Sequence, residues 1–271
     1  MFEDAFVVVR GAGDIATGVI HRLVRSGFPV IATEIASPSV IRRTVAFAEA
    51  VLEGECAVEG MTARRADDAQ QALRLCREGL VPVVVDPQAR IVQELKPFAL
   101  VDAILAKRNV GTRRADADVV IGLGPGFVAG EDADVVIETN RGHDLARLIL
   151  EGSAEPNTGV PGNVGGHSAG RVLRAPCAGV FRAVRKIADR VKAGEAVAEV
   201  DGRPVVTAIE GVLRGLLRDG MKVEEGFKVG DVDPRCRPEH CFTISDKARA
   251  IGGGVLEALL MHLSTRKHVA G

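Results

Sequence analysis

The sequence lacks the features that nucleic-acid-binding and membrane proteins need. It has no Trp and no Tyr, so nine Phe are the only large aromatic side chains on which a base could stack. Its 35 Lys and Arg are matched by 36 Asp and Glu, so no excess of positive charge attracts nucleic acid or an anionic surface. It has no uninterrupted run of about 18 apolar residues, the length that a membrane span needs. We therefore expect a cytoplasmic protein without nucleic-acid or membrane partners.

The start of the chain and its cysteines also favour a cytoplasmic protein. Met1–Asp4 is acidic and leads directly into a strand, which is unlike a signal peptide. The five cysteines are odd in number and mostly scattered, as expected for reduced thiols. Cys236, His240 and Cys241 have no second Cys or His pair to complete a zinc site, so we predict no metal. We take Cys241, which lies close to the start of a helix, as a candidate reactive thiol because a helix dipole would lower its pKa.

The first forty residues predict a strand, a glycine turn and a helix. The apolar run Phe6–Val9 precedes a G-x-G-x-x-A pattern, in which the glycines permit a tight turn and close approach of a phosphate. A carboxylate follows the second strand, where a ribose-binding acid is expected. The alternative to nucleotide binding is a purely structural role, in which the glycines only tighten the turn between strand and helix. The predicted cofactor-binding residues of this segment are Gly11, Ala12, Gly13, Asp14, Ala16 and Glu34.

Further apolar strands alternate with helices up to about residue 150, which favours a mainly parallel buried sheet. Ser37 and Pro38 predict the start of a helix that runs toward Gly54.

Parallel strands end at one edge of a sheet, so we expect a second glycine loop and the polar residues after neighbouring strands to lie near the first loop. The predicted binding residues there are Gly122, Gly124, Gly126 and Asn140, and His143 is the candidate catalytic acid or base. Asp102 and Lys107, which flank another strand end, fit either a ligand contact or a surface ion pair.

The second half of the chain predicts a smaller β domain. Residues 151–170 are rich in Gly, Pro, Asn and Ser and predict a linker. Residues 171–235 contain two copies of one pattern at an offset of 32 residues, so that Gly179 recurs as Gly211 and Val191 as Val223. The pattern is similar to the biotinyl/lipoyl barrel-sandwich fold. Its hairpin, residues 200–204, has no Lys to carry biotin or lipoate, so neither is expected.

The predicted fold class is therefore α/β. We expect a Rossmann-like, mainly parallel sheet domain over residues 1–150 and a small all-β barrel-sandwich domain over 171–235. A C-terminal helical segment over 236–271 completes the chain.

Several blocks of sequence together carry a resemblance to one family. They are Val9–Gly18, Thr33–Pro38, Arg42–Val51, Gly122–Phe127, Glu138–His143 and Ser245–Gly254. These blocks resemble the YqeB-type proteins of the selenium-dependent molybdenum hydroxylase system. The resemblance implies an accessory protein for maturation of such a hydroxylase, and no catalytic residues follow from it.

Three functions remain open at this stage. The first is a maturation factor that binds a nucleotide such as NAD(P), or the molybdenum cofactor, as a phosphate-bearing ligand at the glycine loops. Its partner would be the hydroxylase or its cofactor-maturation machinery, and a homo-oligomer is compatible with it. The second is an NAD(P)-dependent oxidoreductase, in which His143 must act because no Tyr is present. The third is a structural adaptor whose β domain docks a partner enzyme. Whether the protein is an enzyme stays open.

Overall fold

The computed structural model describes residues 5–160 and 162–269, and divides the chain into two compact units. The large unit contains Met1–Pro38, Phe47–Asn157 and Ile244–Gly271. The small unit contains Ser39–Ala46 and Thr158–Thr243. Met1–Asp4, interpreted above as an acidic start, lie outside the described residues, as does Pro161 in the predicted linker.

The large unit combines eleven strands with five helices among its described residues. Its apolar runs form strands that are buried along their whole length, as β1 illustrates. The strands are β1 (Val7–Arg10), β2 (Val30–Glu34), β3 (Glu55–Val58), β4 (Met61–Ala66), β5 (Val81–Val85), β6 (Ala99–Asp102), β7 (Val119–Leu123), β8 (Val128–Ala129), β9 (Val135–Ile137), β10 (Leu148–Ile149) and β11 (Gly152–Ser153). The helices are α1 (Asp14–Arg25), α2 (Ala50–Glu53), α3 (Ala69–Arg77), α4 (Ile91–Leu95) and α5 (Asp246–Val269).

Nine of these strands form one mixed sheet in the order β10-β9-β7-β6-β1-β2-β5-β4-β3. The pairs from β4 to β9 are parallel, whereas β3 pairs antiparallel with β4 and β10 antiparallel with β9. A separate short pair joins β8 to β11. Because the parallel strands run in one direction, the loops that follow β1, β2, β6, β7 and β9 leave the sheet at one edge, which we call the carboxyl edge.

Helices α1 and α5 of the large unit pack at very short range. A Cβ added to Gly18 of α1 would lie 2.6 Å from the Cβ of Ala248. A Cβ added to Gly252 of α5 would lie 2.8 Å from the carbonyl oxygen of Gly18. Glycine is therefore needed at both positions for steric reasons, and helix α5 runs without interruption through Gly252 and its two glycine neighbours.

The small unit is built from two four-stranded antiparallel sheets. Their orders are β12-β19-β17-β14 and β16-β15-β13-β18, and Phe181, Leu213 and Val232 lie in the apolar core of the unit. Strands of the two sequence repeats occur in both sheets, so neither repeat forms a separate layer. The strands are β12 (Val172–Arg174), β13 (Gly179–Ala183), β14 (Arg190–Val191), β15 (Ala196–Val200), β16 (Arg203–Val206), β17 (Gly211–Leu216), β18 (Lys222–Val223) and β19 (Lys228–Asp233).

The structure corrects the predicted fold class. A Rossmann-like, mainly parallel domain followed by a barrel-sandwich domain is wrong, whereas a C-terminal helix is present as α5. The structure has a large mixed sheet with antiparallel strands at both ends, together with smaller antiparallel sheets. Helix α5 is part of the large unit, because it packs on α1.

The predicted helix from Pro38 toward Gly54 is also wrong. That segment contains two short 3₁₀ turns, Arg43–Val45 and Phe47–Glu49, followed by the four-residue helix α2.

Candidate functional site

The candidate site lies at the carboxyl edge of the nine-stranded sheet. Strands β1 and β2 bring Gly11 and Glu34 to this edge, and β6, β7 and β9 bring the segments that contain Lys107, Gly124 and Arg141. The sequence analysis expected this convergence for the two glycine loops. The start of α5 joins them, because Arg141 donates two hydrogen bonds to the Asp246 carboxylate at 2.6 and 3.0 Å.

The first glycine loop is held by groups of the protein itself. The Glu34 carboxylate accepts hydrogen bonds from the backbone N–H of Ala12 at 2.9 Å and of Ile35 at 2.8 Å. Burial raises the pKa of Glu34, although these two hydrogen bonds act in the opposite direction. Gly11 has a φ of +105°, and a Cβ there would lie 3.1 Å from the carbonyl oxygen of Ala103. Glu34 and Gly11 therefore stabilise the conformation of the loop itself.

The remaining predicted residues of this loop belong to the start of α1. Gly13 is the N-cap residue, Asp14 lies in the first turn, and Ala16 is buried. An acidic residue in the first turn interacts favourably with the helix dipole. These positions are therefore explained by formation of the helix and its packing.

The second glycine loop also makes close internal contacts. A Cβ on Gly122 would meet the Phe127 ring at 2.5 Å, and one on Gly126 would meet the Arg108 backbone at 2.5 Å. A Cβ on Gly124 would collide with the hydroxyl of Thr139. Gly124 and Gly126 have positive φ values as well. The loop thus carries glycine because the segments after β6 and β9 pack directly on it.

The residues after β9 comprise the buried Glu138 and an exposed turn. Glu138 is 3% exposed and accepts hydrogen bonds from the backbone N–H groups of Asn140 at 2.6 Å and Glu155 at 2.8 Å. The Asn140 side chain donates to the Glu155 carboxylate. His143 is exposed on the turn. The structure therefore places Asn140 at the carboxyl edge and leaves His143 facing solvent.

Lys107 and Arg141 lie near enough to Lys247 at this edge to act on it electrostatically, and we call the three residues the cationic cluster. Lys247, in the first turn of α5, is only partly exposed. Burial lowers the pKa of Lys247, and the charges of Lys107 and Arg141 lower it further. Asp14 and Glu138 act in the opposite direction. The net effect is a pKa of Lys247 below that of an ordinary lysine.

The backbone that carries Lys107 has an unusual conformation. Leu105 and Lys107 both have left-handed φ values, +60° and +64°. Residues with side chains adopt this region at an energetic cost, and such residues concentrate at functional sites. The structure thus shows strain in the segment that holds one cation of the cluster.

Lys247 was not among the predicted site residues, although it lies in the predicted C-terminal helical segment over 236–271. The Ser245 hydroxyl accepts a hydrogen bond from the Ala248 N–H at 3.1 Å, as an N-cap does. Lys247 is 140 positions from Lys107 in the chain, and no local pattern connects them. The cap was the signal that could have placed Lys247 at the start of a helix.

Cys241 lies in the small unit and has no exposed surface. Its thiol points to the carbonyl oxygen of Leu213 at 3.7 Å. Burial raises the pKa of the Cys241 thiol, although the charges of Arg214 and Arg42 oppose the shift. The predicted lowering of this pKa by a helix dipole is therefore wrong, because burial outweighs nearby positive charge.

The described residues form neither a metal-binding cluster nor a membrane-spanning helix. Within the ranges 5–160 and 162–269, no group of three or more His, Cys, Asp or Glu side chains is arranged to hold a metal ion. Over the same part of the chain, no helix has both the length and the apolar character needed to cross a membrane.

Solved structures resemble the chain only loosely. An aspartoacylase family protein from Mesorhizobium loti aligns over 87% of each chain with 11% identity and a TM-score of 0.29. A succinylglutamate desuccinylase from Silicibacter aligns over 85% of each chain with 11% identity and a TM-score of 0.25. A succinylglutamate desuccinylase/aspartoacylase from Rhodobacter sphaeroides aligns over 85% of each chain with 14% identity and a TM-score of 0.27. Likenesses this weak transfer no activity to the chain.

The predicted function is corrected. The glycine loops and Glu34 are engaged in packing and hydrogen bonds within the protein itself. Interpreting the protein as a hydroxylase maturation factor with a nucleotide at these loops, or as an NAD(P)-dependent oxidoreductase, is wrong. The predicted cofactors, partners and oligomeric state stay predictions.

Sequence comparison gives a much closer relative. No family model matches the chain. A protein of Escherichia coli strain K12, named "Uncharacterized protein YqeB", is 54% identical over 255 residues, which is 94% of this chain. The chain spans about half of that relative, 47% of its length. The relative's name states no activity and does not support a role with molybdenum hydroxylases. The predicted resemblance to YqeB-type proteins is confirmed over the matched residues.

Proposed function

We propose that the carboxyl edge of the large unit binds a small organic carboxylate, and that Lys247 exchanges a proton with the bound compound. The observation that carries this proposal is the cationic cluster, in which Lys107 and Arg141 lie close enough to a partly buried Lys247 to lower its pKa. Three like charges repel one another, and an anion bound among them would relieve that repulsion.

The fold maintains this arrangement at a local energetic cost. Leu105 and Lys107 are held in left-handed conformations, which disfavour side chains. Asp246 fixes Arg141 through two hydrogen bonds and so ties the segment after β9 to the start of α5. Lys107 follows β6, Arg141 follows β9, and Lys247 lies in α5, so three different elements hold the cationic cluster. Holding the side chains on the scaffold in this way is what a preorganised binding site requires.

The chemistry assigns different roles to the three cations. Lys107 and Arg141 would hold the carboxylate by charge-assisted hydrogen bonds. Lys247, with its lowered pKa, has a larger fraction of neutral amine near neutral pH than an ordinary lysine and can accept a proton. When an anion binds, its negative charge favours the ammonium form, so binding and proton uptake at Lys247 are coupled.

Calorimetric titration with succinate tests the binding claim. Lys107→Gln should weaken binding about tenfold or more, because a charge-assisted hydrogen bond contributes about 1.5–3 kcal/mol. Lys96→Gln is the matched control, because Lys96 is exposed, lies in the same unit and has a similar φ of +48°. Equal affinity in the wild type and in both variants would refute the proposed site.

A further inference from the structure

A polar cavity lies in the large unit, and its lining is distinct from the cationic cluster. Its volume is about 370 Å³, which suits a small molecule. It is lined by residues at the end of β1, by the segment around α4 and by the loop after β6. None of Lys107, Arg141 and Lys247 lines it.

The position of Arg10 follows from strand alternation. Val8 of β1 packs with Leu100 of β6 and with apolar residues of α3 and α4. Alternate residues of a strand point to the same face, so Arg10 points to the same face as Val8, toward α4. Arg10 is also in register with Asp102 at the end of β6. Its side chain thereby forms one wall of the cavity, next to the carboxyl edge.

Arg10 is 5% exposed, and four hydrogen-bonding contacts fix its guanidinium group. Nη1 donates to the Thr112 hydroxyl at 2.9 Å and lies 3.4 Å from an Asp102 carboxylate oxygen. Nη2 donates to the carbonyl oxygens of Pro87 at 3.0 Å and Val110 at 3.1 Å. The buried Nε has no hydrogen-bond partner among the described residues. A buried donor without a partner is costly, so this atom calls for an explanation.

The other groups around the cavity give it an excess of positive charge. Arg90 and Arg113 are exposed and supply two cations, whereas the charge of Arg10 is paired with Asp102. Among the described residues that line the cavity, Asp116 is the one carboxylate, and its Oδ2 already accepts a hydrogen bond from the Arg113 backbone N–H at 2.8 Å. Gln93 supplies a neutral amide, and the Gln88 amide oxygen accepts a hydrogen bond from Arg90 Nε at 2.9 Å. The set favours a small anion with further polar groups.

We propose that this cavity is a second binding site, for a small carboxylate whose planar head group is recognised by the arginines. Guanidinium groups match the geometry of a carboxylate and bind it through paired hydrogen bonds. Arg90 and Arg113, which are exposed, contact the anion, and Arg10, paired with Asp102, forms part of the wall. The proposal rests on residues other than the cationic cluster, so it stands or falls separately from the site at the start of α5.

Titration of the ¹⁵N-labelled full chain with succinate tests this site separately from the first. The backbone amides of Gly111 and Arg113 report on the cavity, whereas those of Gly142 and Asp246 report on the edge site. Arg10 is avoided as a first target because its loss would leave Asp102 and Thr112 without their buried partner. The exposed Arg113→Gln and Arg90→Gln are used instead, with the exposed Arg77→Gln of α3 as the matched control.

We expect Gly111 and Arg113 to shift with succinate in the wild type, and the apparent affinity to fall about tenfold or more in the doubly substituted Arg90→Gln, Arg113→Gln chain. Arg77→Gln and Lys107→Gln should leave this binding curve unchanged. Absence of shifts at saturating succinate, or equal affinity in the doubly substituted chain, would overturn the proposal. Loss of the shifts in Lys107→Gln alone would show a single site and would overturn it as well.

Discussion

The chemistry of single residues in this protein is controlled strongly by burial. Cys241 lies near Arg214 and Arg42, whose positive charges favour a thiolate, yet its pKa is raised because the thiol is desolvated. Lys247 shows the same principle with the opposite sign, because burial of an amine favours its neutral form. Neither shift is visible in the sequence, since both depend on which segments cover the side chain.

Cys241 should therefore react slowly with alkylating reagents in the folded chain. We expect brief iodoacetamide treatment at neutral pH to modify partly exposed Cys236 well before Cys241, because Cys241 has no exposed surface. Peptide mass spectrometry measures the extent at each site. In urea all five cysteines should react at comparable rates, which serves as the control. Preferential labelling of Cys241 in the native protein would contradict this prediction.

Sequence reasoning located several site residues correctly in the chain but not their roles. It placed the two glycine loops and Asn140 at strand ends, where the structure also has them. It could not show that Glu34 would turn back onto the N–H of Ala12. Nor could it show that α5 would bring Lys247 to the same edge. Such roles follow from contacts between distant segments.

At the scale of elements, the crossing of α1 and α5 depends on glycine. The close approach requires that Gly18 and Gly252 have no side chain, whereas the adjacent Gly253 has open space around its Cα. Gly252 and Gly253 thus lie next to each other in one helix but in opposite steric environments. The crossing also matters for the proposed function, because it positions the first turn of α5 and therefore Lys247.

The two glycines give a matched pair of substitutions. Gly252→Ala should lower the free energy of unfolding by about 1–3 kcal/mol, because its Cβ would overlap the carbonyl oxygen of Gly18. Gly253→Ala should raise the free energy of unfolding by up to about 1 kcal/mol, since alanine favours a helix and meets no atom. Urea unfolding followed by circular dichroism measures both. A stabilising Gly252→Ala would refute the close crossing.

Buried apolar strands were predictable from the sequence, whereas short and partly exposed strands were not. Strands β1, β2 and β5 can be predicted from composition, because each is a buried and mainly apolar run. The hairpin of β3 and β4 was missed because its strands are short and partly exposed, with β3 carrying a single fully buried residue. Its turn is marked only by Glu59 and Gly60, both with positive φ values. The antiparallel strands at the ends of the sheet therefore went unpredicted.

At the scale of the whole molecule, the chain passes between the two units several times. It leaves the large unit after Pro38, returns at Phe47, leaves again after Asn157 and returns at Ile244. Sequence analysis assumed consecutive domains, because composition reveals linkers but not a return of the chain. The eight residues from Ser39 to Ala46 belong to the small unit although the preceding and following segments belong to the large one.

The central claim is that the carboxyl edge of the large unit is an anion site in which Lys247 takes up a proton. The most direct measurement is the pKa of the Lys247 amine, followed by NMR of ¹³C-methylated lysines with and without succinate. We predict a pKa below the ordinary lysine value in the free protein, because burial, Lys107 and Arg141 disfavour the ammonium form while Asp14 and Glu138 only partly offset them. Saturating succinate should raise that pKa and leave the Lys96 signal in place. A Lys247 pKa at the ordinary value that does not change with succinate would contradict the account.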